Sequence, residues 1–274
     1  YLHTNFTTVI LIMIEPPAYY DKSHIEFLEK LWGDGYLSPG GPDEVKRILG
    51  DVDLSKATVL DVGCGSGGIT ISLVSDYGAQ KVIGIDVETD VCEVASDRVK
   101  RLGLQKDIDI VKVKPGGFPY DNAFFDVVFS KDSIVHIENK EQLAEEIFRV
   151  LKPGGYFLGS DWLRINDHTP SPEMLHYLKL ENLGFEMASP NRYSHALTKA
   201  GFQDVFLSNR NRWYTEKAKQ EVVDLSKVMR QEFEDISSKQ YMDLTIETWN
   251  AMIAVLETGE HCPHHIKCKK PFNK

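Results

Sequence analysis

The feature that most constrains this chain is a regular alternation of continuous apolar segments with amphipathic helical segments, which begins near Ala57. The first apolar segment, TVLDVG at residues 58–63, is β-branched and ends in glycine, and ITISLVSDYG at residues 69–78 has helical spacing. Further apolar segments follow in the same order, namely KVIGID, IDIVKV, FDVVFS and YFLGSDW. Continuous apolar strands that alternate with helices are typical of a parallel sheet covered on both faces. The sequence therefore predicts an α/β fold.

The pattern loosens after Asp161, where LRINDHTPSPEM is rich in turn residues. Helical spacing then returns up to Gly201, and FQDVFLSNRN predicts another strand. The segment from Thr215 to Gly259 is strongly helical and charged, and its apolar positions predict packing over the sheet or against a second copy. HHIKCKK predicts a final strand that enters antiparallel at an edge of the sheet. The Cys and His spacing in HCPHHIKC fits no standard zinc pattern, so we expect no metal site there.

Composition and charge exclude several classes of protein. The formal net charge of −10 argues against a nucleic-acid surface, because phosphate binding needs clustered Lys and Arg, so small molecules are the expected partners. Four scattered cysteines are too few for a disulfide scaffold and favour a reducing compartment. We therefore expect a soluble, cytoplasmic globular protein.

The apolar stretch FTTVILIMI at residues 6–14 resembles a short signal segment. It has no basic flank and no small-residue cleavage site, and it is shorter than the ~20 apolar residues that span a bilayer. We expect no membrane association from it. We assign residues 1–15 to an N-terminal extension of unknown role, which a strand, an oligomer contact or a remnant of cloning would equally explain.

The stretch LDVGCGSGG at residues 60–68 carries the first chemistry. Gly63 and Gly65 stand at a strand-to-helix turn, where glycine lets a ligand approach the backbone closely. Asp86, at the end of the next strand, is suited to accept hydrogen bonds from both hydroxyls of a ribose. These features fit either NAD or S-adenosylmethionine (SAM). Asp61 favours SAM, because an acid there would repel a pyrophosphate but suits the ammonium of a methionine.

Four segments in order resemble the motifs of the class I SAM-dependent methyltransferases over nearly all of residues 55–201: VLDVGCGSGG, GIDV, FDVVFSKDSIVHI and RVLKPGGYFLGSDW. The resemblance implies a Rossmann-like fold with a seven-stranded, mostly parallel sheet whose last strand is antiparallel. It also implies that Val87 and Ser130, at two strand ends, contact the cofactor. We expect one methyltransferase domain at 16–274, divided into an N-terminal lid (16–48), a SAM-binding core (55–162), a cap (163–200) and a completion of the core (201–274).

A closer resemblance connects LWGDGYLSPGG and FSKDSIVHI to the phosphoethanolamine N-methyltransferases of plants, nematodes and malaria parasites. In that family a tyrosine of the lid helix hydrogen-bonds to the histidine of the second motif, closes the site and supports methyl transfer. The matching positions here are Tyr20 and His136. The resemblance also implies that Leu37 and Ser38 approach SAM, and we assign Tyr36 to the substrate side.

The same strand end places an acid and an imidazole where ligands bind in open α/β sheets. His136 follows Asp132 by four residues, so the two can share a face of a helical turn. Methylation of an amine requires a free lone pair, and an imidazole is suited to accept the proton that an ammonium must lose. We predict that His136 is this base, with Asp132 orienting the imidazole or holding the positive charge of the substrate.

The chain also departs from that family. Relatives hold the substrate phosphate with an arginine and a tyrosine of the cap and a lysine near the C-terminus. Here Glu181 and Leu183 stand near the first two positions, and TWNAMIAV has no lysine for the third. A phosphate would lack its usual partners, which favours a different small amine. After the third strand, KVKPGGF replaces the usual adenine-binding acid, and we expect a backbone carbonyl in its place.

Several side chains are candidates for the substrate site. Trp162 stands where the relatives carry a tyrosine, and its indole could bind a methylated ammonium by cation–π attraction or could simply be structural. A zwitterionic acceptor such as sarcosine or dimethylglycine would need a cation for its carboxylate, for which Arg164, Arg192 and Lys131 are available. Each of these three could equally be a surface charge.

The sequence thus predicts a SAM-dependent N-methyltransferase of a small amine, monomeric or homodimeric, with Tyr20, Asp132 and His136 as the catalytic residues. Four alternatives remain at this point: phosphoethanolamine itself as the substrate, sarcosine or dimethylglycine, O- or C-methylation of a small metabolite, and a SAM-binding protein without chemistry.

Overall fold

The computed structural model describes residues 20–272, so the predicted extension at residues 1–15 lies outside the described residues. The strands of the sheet are β1 (Thr58–Val62), β2 (Lys81–Asp86), β3 (Ile108–Lys112), β4 (Phe125–Lys131), β5 (Leu151–Asp161), β6 (Gln203–Asn209) and β7 (His264–Lys269). The α-helices are α1 (Lys22–Trp32), α2 (Gly41–Leu49), α3 (Gly68–Ser75), α4 (Thr89–Arg101), α5 (Lys140–Val150), α6 (Pro172–Glu181), α7 (Pro190–Ala200), α8 (Asn211–Val223), α9 (Arg230–Ile236) and α10 (Lys239–Glu257). None of the helices in this range is long and apolar enough to cross a membrane.

The seven strands form one sheet in the order β3-β2-β1-β4-β5-β7-β6. All neighbours pair in parallel except where β7 is involved, which confirms the predicted fold class. The strand β1 pairs with β2 on one side and β4 on the other, so the strand order reverses at this point. In open α/β sheets, ligands bind in the crevice at the carboxyl ends of the strands where the order reverses. The topology alone therefore predicts that the functional site lies at the carboxyl ends of β1 and its neighbours.

The predicted position of the last strand was wrong. Strand β7 is antiparallel, as expected, but it lies between β5 and β6 and not at an edge. Its even-numbered side chains, including Ile266 and Cys268, are buried, whereas Phe206 of the true edge strand β6 is 61% exposed. Buried and partly exposed side chains alternate along β7 because the two faces of the strand differ in burial. A strand in the interior of a sheet can show this alternation as well as an edge strand.

The helical boundaries also differ from the sequence interpretation. Strand β5 begins directly at Leu151, so the Lys-Pro-Gly-Gly stretch belongs to the strand and does not simply close α5. The predicted helical segment from Thr215 to Gly259 is divided into α8, a π-helical turn at Asp224–Val228, α9 and α10. Gly201 ends α7 in the left-handed conformation, with φ 108°, as its position in the sequence predicts.

Apolar clusters cover both faces of the sheet, and a further helical layer lies over its carboxyl ends. Leu60 and Phe157 belong to the cluster beneath α5 and α7, and Val59 and Leu158 belong to the opposite cluster beneath α2 and α3. The lid helix α1 packs against α9 and α10, while α6 packs against α8 and α10. The charged helical segment therefore packs against the lid and cap helices.

The difference in burial between two leucines predicts how much each contributes to the free energy of unfolding. Leu60 is fully buried in β1 and Leu175 is 52% exposed in α6, so the same substitution tests two environments. We expect Leu60→Ala to lower the free energy of unfolding by about 3 kcal/mol, because it removes a buried side chain and leaves a cavity. Leu175→Ala should change it by less than about 0.5 kcal/mol. Urea unfolding of both variants measures this, and equal losses would contradict the assignment of Leu60 to the core.

Candidate active site

A cavity of about 560 Å³ lies at the carboxyl ends of β1, β2 and β4. Its walls also include the lid loop at residues 35–38, the loop after β3, the start of α5 and the cap loop at residues 183–184. Nine of the predicted site residues line it: Tyr20, Leu37, Ser38, Gly63, Gly65, Asp86, Val87, Asp132 and His136. The residues predicted to bind the cofactor and those predicted to act on the substrate therefore share one cavity.

The glycine loop leaves no room for side chains. Gly63 and Gly65 have φ values of 71° and 52°, in the left-handed region that favours glycine. A Cβ atom on Gly63 would lie 2.2 Å from the hydroxyl oxygen of Ser133, and one on Gly65 would lie 3.1 Å from Leu37. The backbone N–H groups of Gly63 and Cys64 both donate to the carbonyl of Ile85, which fixes the loop against β2. The loop is therefore closely packed against Ser133, Leu37 and β2, and its backbone forms part of the cavity wall.

Asp86 ends β2 with its carboxylate against this loop. The carboxylate accepts hydrogen bonds from the N–H of Gly65 and the N–H of Glu88, both at 3.0 Å. Burial raises the pKa of Asp86, and these two hydrogen bonds oppose the shift. Two oxygens have further lone pairs for a ribose diol, and Val87, 46% exposed, continues the wall of the cavity. The size of the cavity, the glycine loop in its wall and the free lone pairs of Asp86 all fit SAM.

Two predicted cofactor residues lie behind the loop and do not line the cavity. Asp61 is 1% exposed and accepts a 2.6 Å hydrogen bond from the hydroxyl of Thr70. Burial raises the pKa of Asp61 to about 7. Ser130 is fully buried and donates to the carbonyl of Val62 at 2.9 Å. In the structure both side chains support the loop from below, and their direct contact with the cofactor stays a prediction.

His136 and Tyr20 line the cavity from two different segments of the chain, the turn after β4 and the residues before α1. His136 ends a 3₁₀ turn at Ile134–His136 after β4, and its ring lies 5.3 Å from that of Phe185. Burial lowers the pKa of His136, so the imidazole is neutral at neutral pH. Burial and nearby carboxylates raise the pKa of Tyr20, so its phenol stays protonated. Among the described residues no hydrogen bond joins the two, and the closing contact between them stays a prediction.

The expected pairing of Asp132 with His136 on one helical face was wrong. Asp132 has φ 55° and lies before the 3₁₀ turn, so its side chain leaves the chain in another direction. Its carboxylate contacts Lys131 Nζ at 2.5 Å, the hydroxyl of Ser160 at 2.7 Å and the phenol of Tyr214 at 3.0 Å. Burial opposes ionisation of Asp132, but the ammonium of Lys131 and these hydrogen bonds outweigh it, and the pKa is lowered.

Lys131, considered as a cation for a substrate carboxylate, is already engaged. Its side chain is 0% exposed, and besides Asp132 it donates to the hydroxyl of Ser38 at 2.6 Å and to the carbonyl of Pro39 at 2.9 Å. These contacts join the end of β4 to the lid loop. The lysine therefore holds Ser38, a predicted cofactor residue, at the wall of the cavity.

The four residues predicted to bind the substrate lie outside the cavity. Arg192 is held by both carboxylate oxygens of Glu141 at 2.9 and 2.8 Å, and Arg164 donates to the carbonyl of His168 at 2.9 Å. Tyr36 packs with the apolar cluster beneath α2. Trp162 is buried and lines a separate, smaller cavity. Neither arginine lines the main cavity, and each already has an acceptor on the protein.

The structure adds residues that the sequence pattern did not indicate. Ser133 donates to the carbonyl of Val62 at 2.8 Å and braces Gly63. The chain after β3 lines the cavity with Lys114–Pro119, so backbone groups and the ring of Phe118 stand where the adenine-binding acid is missing. Among residues 20–272, no group of three His, Cys, Asp or Glu side chains could hold a metal ion.

Arg98 of α4 connects the lid to the glycine loop. Its guanidinium donates to both carboxylate oxygens of Glu29 at 2.9 Å, to Asp34 at 2.6 Å and to the carbonyl of Ser66. The side chain is 7% exposed. Close by, the N–H of Gly68 donates to the carbonyl of Gly35 at 2.9 Å. No motif marks Arg98 in the sequence, because its partners come from segments 32 to 69 residues away.

The glycine loop yields a test with a matched control. Gly63 and Gly78 have nearly the same φ, 71° and 72°, but a Cβ on Gly78 would meet nothing within 4 Å. We expect Gly63→Ala and Gly78→Ala to pay a similar backbone cost of about 1 kcal/mol. Gly63→Ala alone should displace Ser133 and weaken SAM binding at least tenfold by calorimetry. Equal SAM affinities of the two variants would show that the loop is not the cofactor site.

The lid contact yields a second test. Arg98→Met removes the hydrogen bonds to Glu29, Asp34 and Ser66 but keeps an unbranched side chain of similar length. The control is Arg101→Met, because Arg101 lies on the same helix and is 68% exposed. We expect Arg98→Met to raise the dissociation rate of SAM severalfold, because the lid loses its attachment to the loop. Arg101→Met should leave it unchanged. Stopped-flow fluorescence measures both rates, and identical rates would contradict this role.

Comparison with known proteins agrees with this geometry. A family model described as "Methyltransferase domain" matches residues 59–155. The chain is 30% identical to Phosphoethanolamine N-methyltransferase from Plasmodium falciparum over 68% of its own length and 69% of the relative. It is also 30% identical to Phosphoethanolamine N-methyltransferase 3 from Arabidopsis thaliana, over 88% of the chain and 48% of the relative. The chain spans about half the length of the first curated plant relatives it matches.

A solved structure of a phosphoethanolamine N-methyltransferase also resembles this chain. Phosphoethanolamine N-methyltransferase 2 of Haemonchus contortus, in complex with SAM, superposes with a TM-score of 0.81 and 25% identity, covering 90% of this chain and 56% of that one.

Proposed function

Since this chain belongs to the class I SAM-dependent methyltransferases, in the family of the phosphoethanolamine N-methyltransferases, we propose that it transfers a methyl group from SAM to the nitrogen of a small amine. One observation carries the proposal. A single cavity holds the glycine loop and Asp86 together with Tyr20 and His136. A cofactor-binding surface and a proton acceptor thus face the same space, as methylation of an amine requires.

The residues divide into two roles. The backbone at Gly63 and Gly65 and the carboxylate of Asp86 hold the cofactor, with Leu37 and Ser38 closing over it from the lid. When bound, SAM supplies a methyl group on a positively charged sulfur. Nothing else in this cavity needs to activate that methyl group, so the protein acts on the acceptor: it excludes water, aligns the nitrogen and removes its proton.

His136 is the proposed proton acceptor. Its half-buried imidazole lines the cavity, and its lowered pKa keeps it neutral at neutral pH, ready to take a proton from an ammonium. Tyr20 stays protonated and can donate a hydrogen bond to His136 or to the acceptor when the lid closes. Asp132 is proposed to position Lys131 and, through it, Ser38, and not to orient the imidazole.

Phosphoethanolamine is a second candidate acceptor, because the relatives carry it in their names. A phosphate would require free cations in the cavity. Among the described lining residues the basic side chains are Lys114, which is exposed, and Lys131, which is paired with Asp132. The lining thus offers one exposed lysine and no cluster of basic groups for a phosphate, which favours an amine without one.

The proposal is tested by measuring S-adenosylhomocysteine formation with SAM and a panel of amines: phosphoethanolamine, ethanolamine, sarcosine, dimethylglycine and simple alkyl monoamines and diamines. Product formation that depends on one of these amines supports the proposal. SAM binding without turnover on any amine, but with turnover on an alcohol or a carbon acid, would contradict it.

The role of His136 makes a separate prediction. We expect His136→Ala to lower kcat by about 10²-fold on any amine that the wild type methylates, because the proton loses its acceptor. His195→Ala removes an exposed histidine of α7 and should leave kcat unchanged. The two variants should bind SAM alike in calorimetry.

The pH dependence of the methylation rate also tests the role of His136. A base with a lowered pKa is neutral from high pH down to below its ordinary value of about 6.5. The wild-type rate should therefore fall only below that pH, where His136 becomes protonated, and the His136→Ala variant should lack this acidic limb. An unchanged limb in the variant would assign it to another group.

A further inference from the structure

A second, smaller cavity lies directly behind the wall of the main one. We call it the tryptophan cavity, after the residues that define it: Trp32, Trp162, Trp249, Tyr214, Glu181 and Glu221. The two cavities share a wall. The phenol of Tyr214 donates to Asp132, which lines the main cavity. In the cap, Glu181 of the tryptophan cavity is two residues from Leu183 of the main one. The two cavities are therefore adjacent, with the Tyr214–Asp132 contact and the cap segment at residues 181–183 between them.

The walls of the tryptophan cavity are aromatic and rigidly held. The rings of Trp32 and Trp249 stack at 6.2 Å, and those of Trp162 and Tyr214 meet edge to face at 5.9 Å. Glu221 accepts hydrogen bonds from the indole N–H groups of Trp32 and Trp249, at 2.8 and 2.9 Å. With these N–H groups engaged, the two indoles offer aromatic carbon to the cavity. Tryptophan surfaces of this kind attract cations.

The tryptophan cavity is lined by two acidic side chains, Glu181 and Glu221, and burial raises the pKa of both, so a bound cation would favour their ionised forms. The carboxylate of Glu181 makes no hydrogen bond or ion pair within residues 20–272, and burial raises its pKa to about 7. Lys217 also lines the cavity, but it is partly exposed and faces Glu221, with 3.9 Å between Nζ and the nearest oxygen. Two carboxylates thus face one ammonium. An anionic group would meet repulsion here, whereas a cation would give Glu181 the partner that it lacks.

The volume of about 30 Å³ limits what can enter. It corresponds to two or three water-sized groups, which suits an ammonium or a methylammonium tip but not a phosphate. The aromatic walls, the acid without a partner and this size favour a small cationic group, whereas the indole N–H of Trp162, which has no acceptor among the described residues, does not contribute to its attraction.

We propose that the tryptophan cavity binds a second cationic group of the acceptor, so that the substrates of this enzyme are small diamines and not amines that carry a phosphate. This inference rests on the proposed N-methyltransferase function and specifies its substrate class. Glu181 and the indoles hold one ammonium, while the other amine lies in the main cavity beside His136.

The test compares three acceptors of similar length: 1,4-diaminobutane, n-butylamine and phosphoethanolamine. We expect the wild type to use the diamine with a kcat/KM at least tenfold above that of n-butylamine, and to use phosphoethanolamine poorly. Glu181→Gln, which keeps the shape and removes the charge, should reduce the preference for the diamine to within about threefold. Glu173→Gln, an exposed position on the same helix, is the control and should keep the preference.

A binding measurement separates this inference from the proposed function. Three of the four tryptophans define the cavity, so the fluorescence of the protein saturated with S-adenosylhomocysteine should change as 1,4-diaminobutane is added. Diamine binding that Glu181→Gln weakens, without methylation of any amine, would support the cavity assignment and refute the N-methyltransferase proposal. Amine methylation with phosphoethanolamine preferred, or with a diamine preference that survives in Glu181→Gln, would refute the inference and leave the proposed function intact.

Discussion

The buried ion pair between Lys131 and Asp132 is the interaction on which the arrangement of the site depends. Both side chains are at most 1% exposed, so each charge requires the other in order to remain in the interior. Lys131 extends to Ser38 and Pro39 of the lid loop, and Asp132 extends to Ser160 at the end of β5 and to Tyr214 of α8. One pair at the end of β4 therefore fixes the lid, the sheet and the helical layer relative to each other.

This pair also separates two environments with different chemistry. On its main-cavity side lie the glycine loop, Asp86 and His136, which suit a cofactor and a proton transfer. On its other side lie tryptophans and carboxylates. Because Asp132 neutralises Lys131, this lysine is not free to bind an anionic substrate group. The fold can thus retain the cofactor site of its family while the second cavity changes what the enzyme accepts.

Much of the fold and of the cofactor site could be predicted from the sequence, because both follow from local patterns. Glycines at one strand end and an acid at the next form a local sequence pattern that predicts a ligand site. Gly63, Gly65 and Asp86 line the cavity as expected. The substrate side could not be predicted in this way. The left-handed backbone of Asp132 and the capture of Arg192 by Glu141 both depend on tertiary contacts that leave no periodic signal.

The proposed reaction in this cavity is the transfer of a methyl group onto nitrogen. Its most direct test is a single-turnover reaction with SAM labelled with ¹³C in the methyl group, in which NMR reports the atom that carries the label afterwards. We expect the label to appear as an N-methyl group on the acceptor amine. A label on oxygen or carbon, or a label that stays on SAM although the cofactor and the amine are both bound, would contradict it.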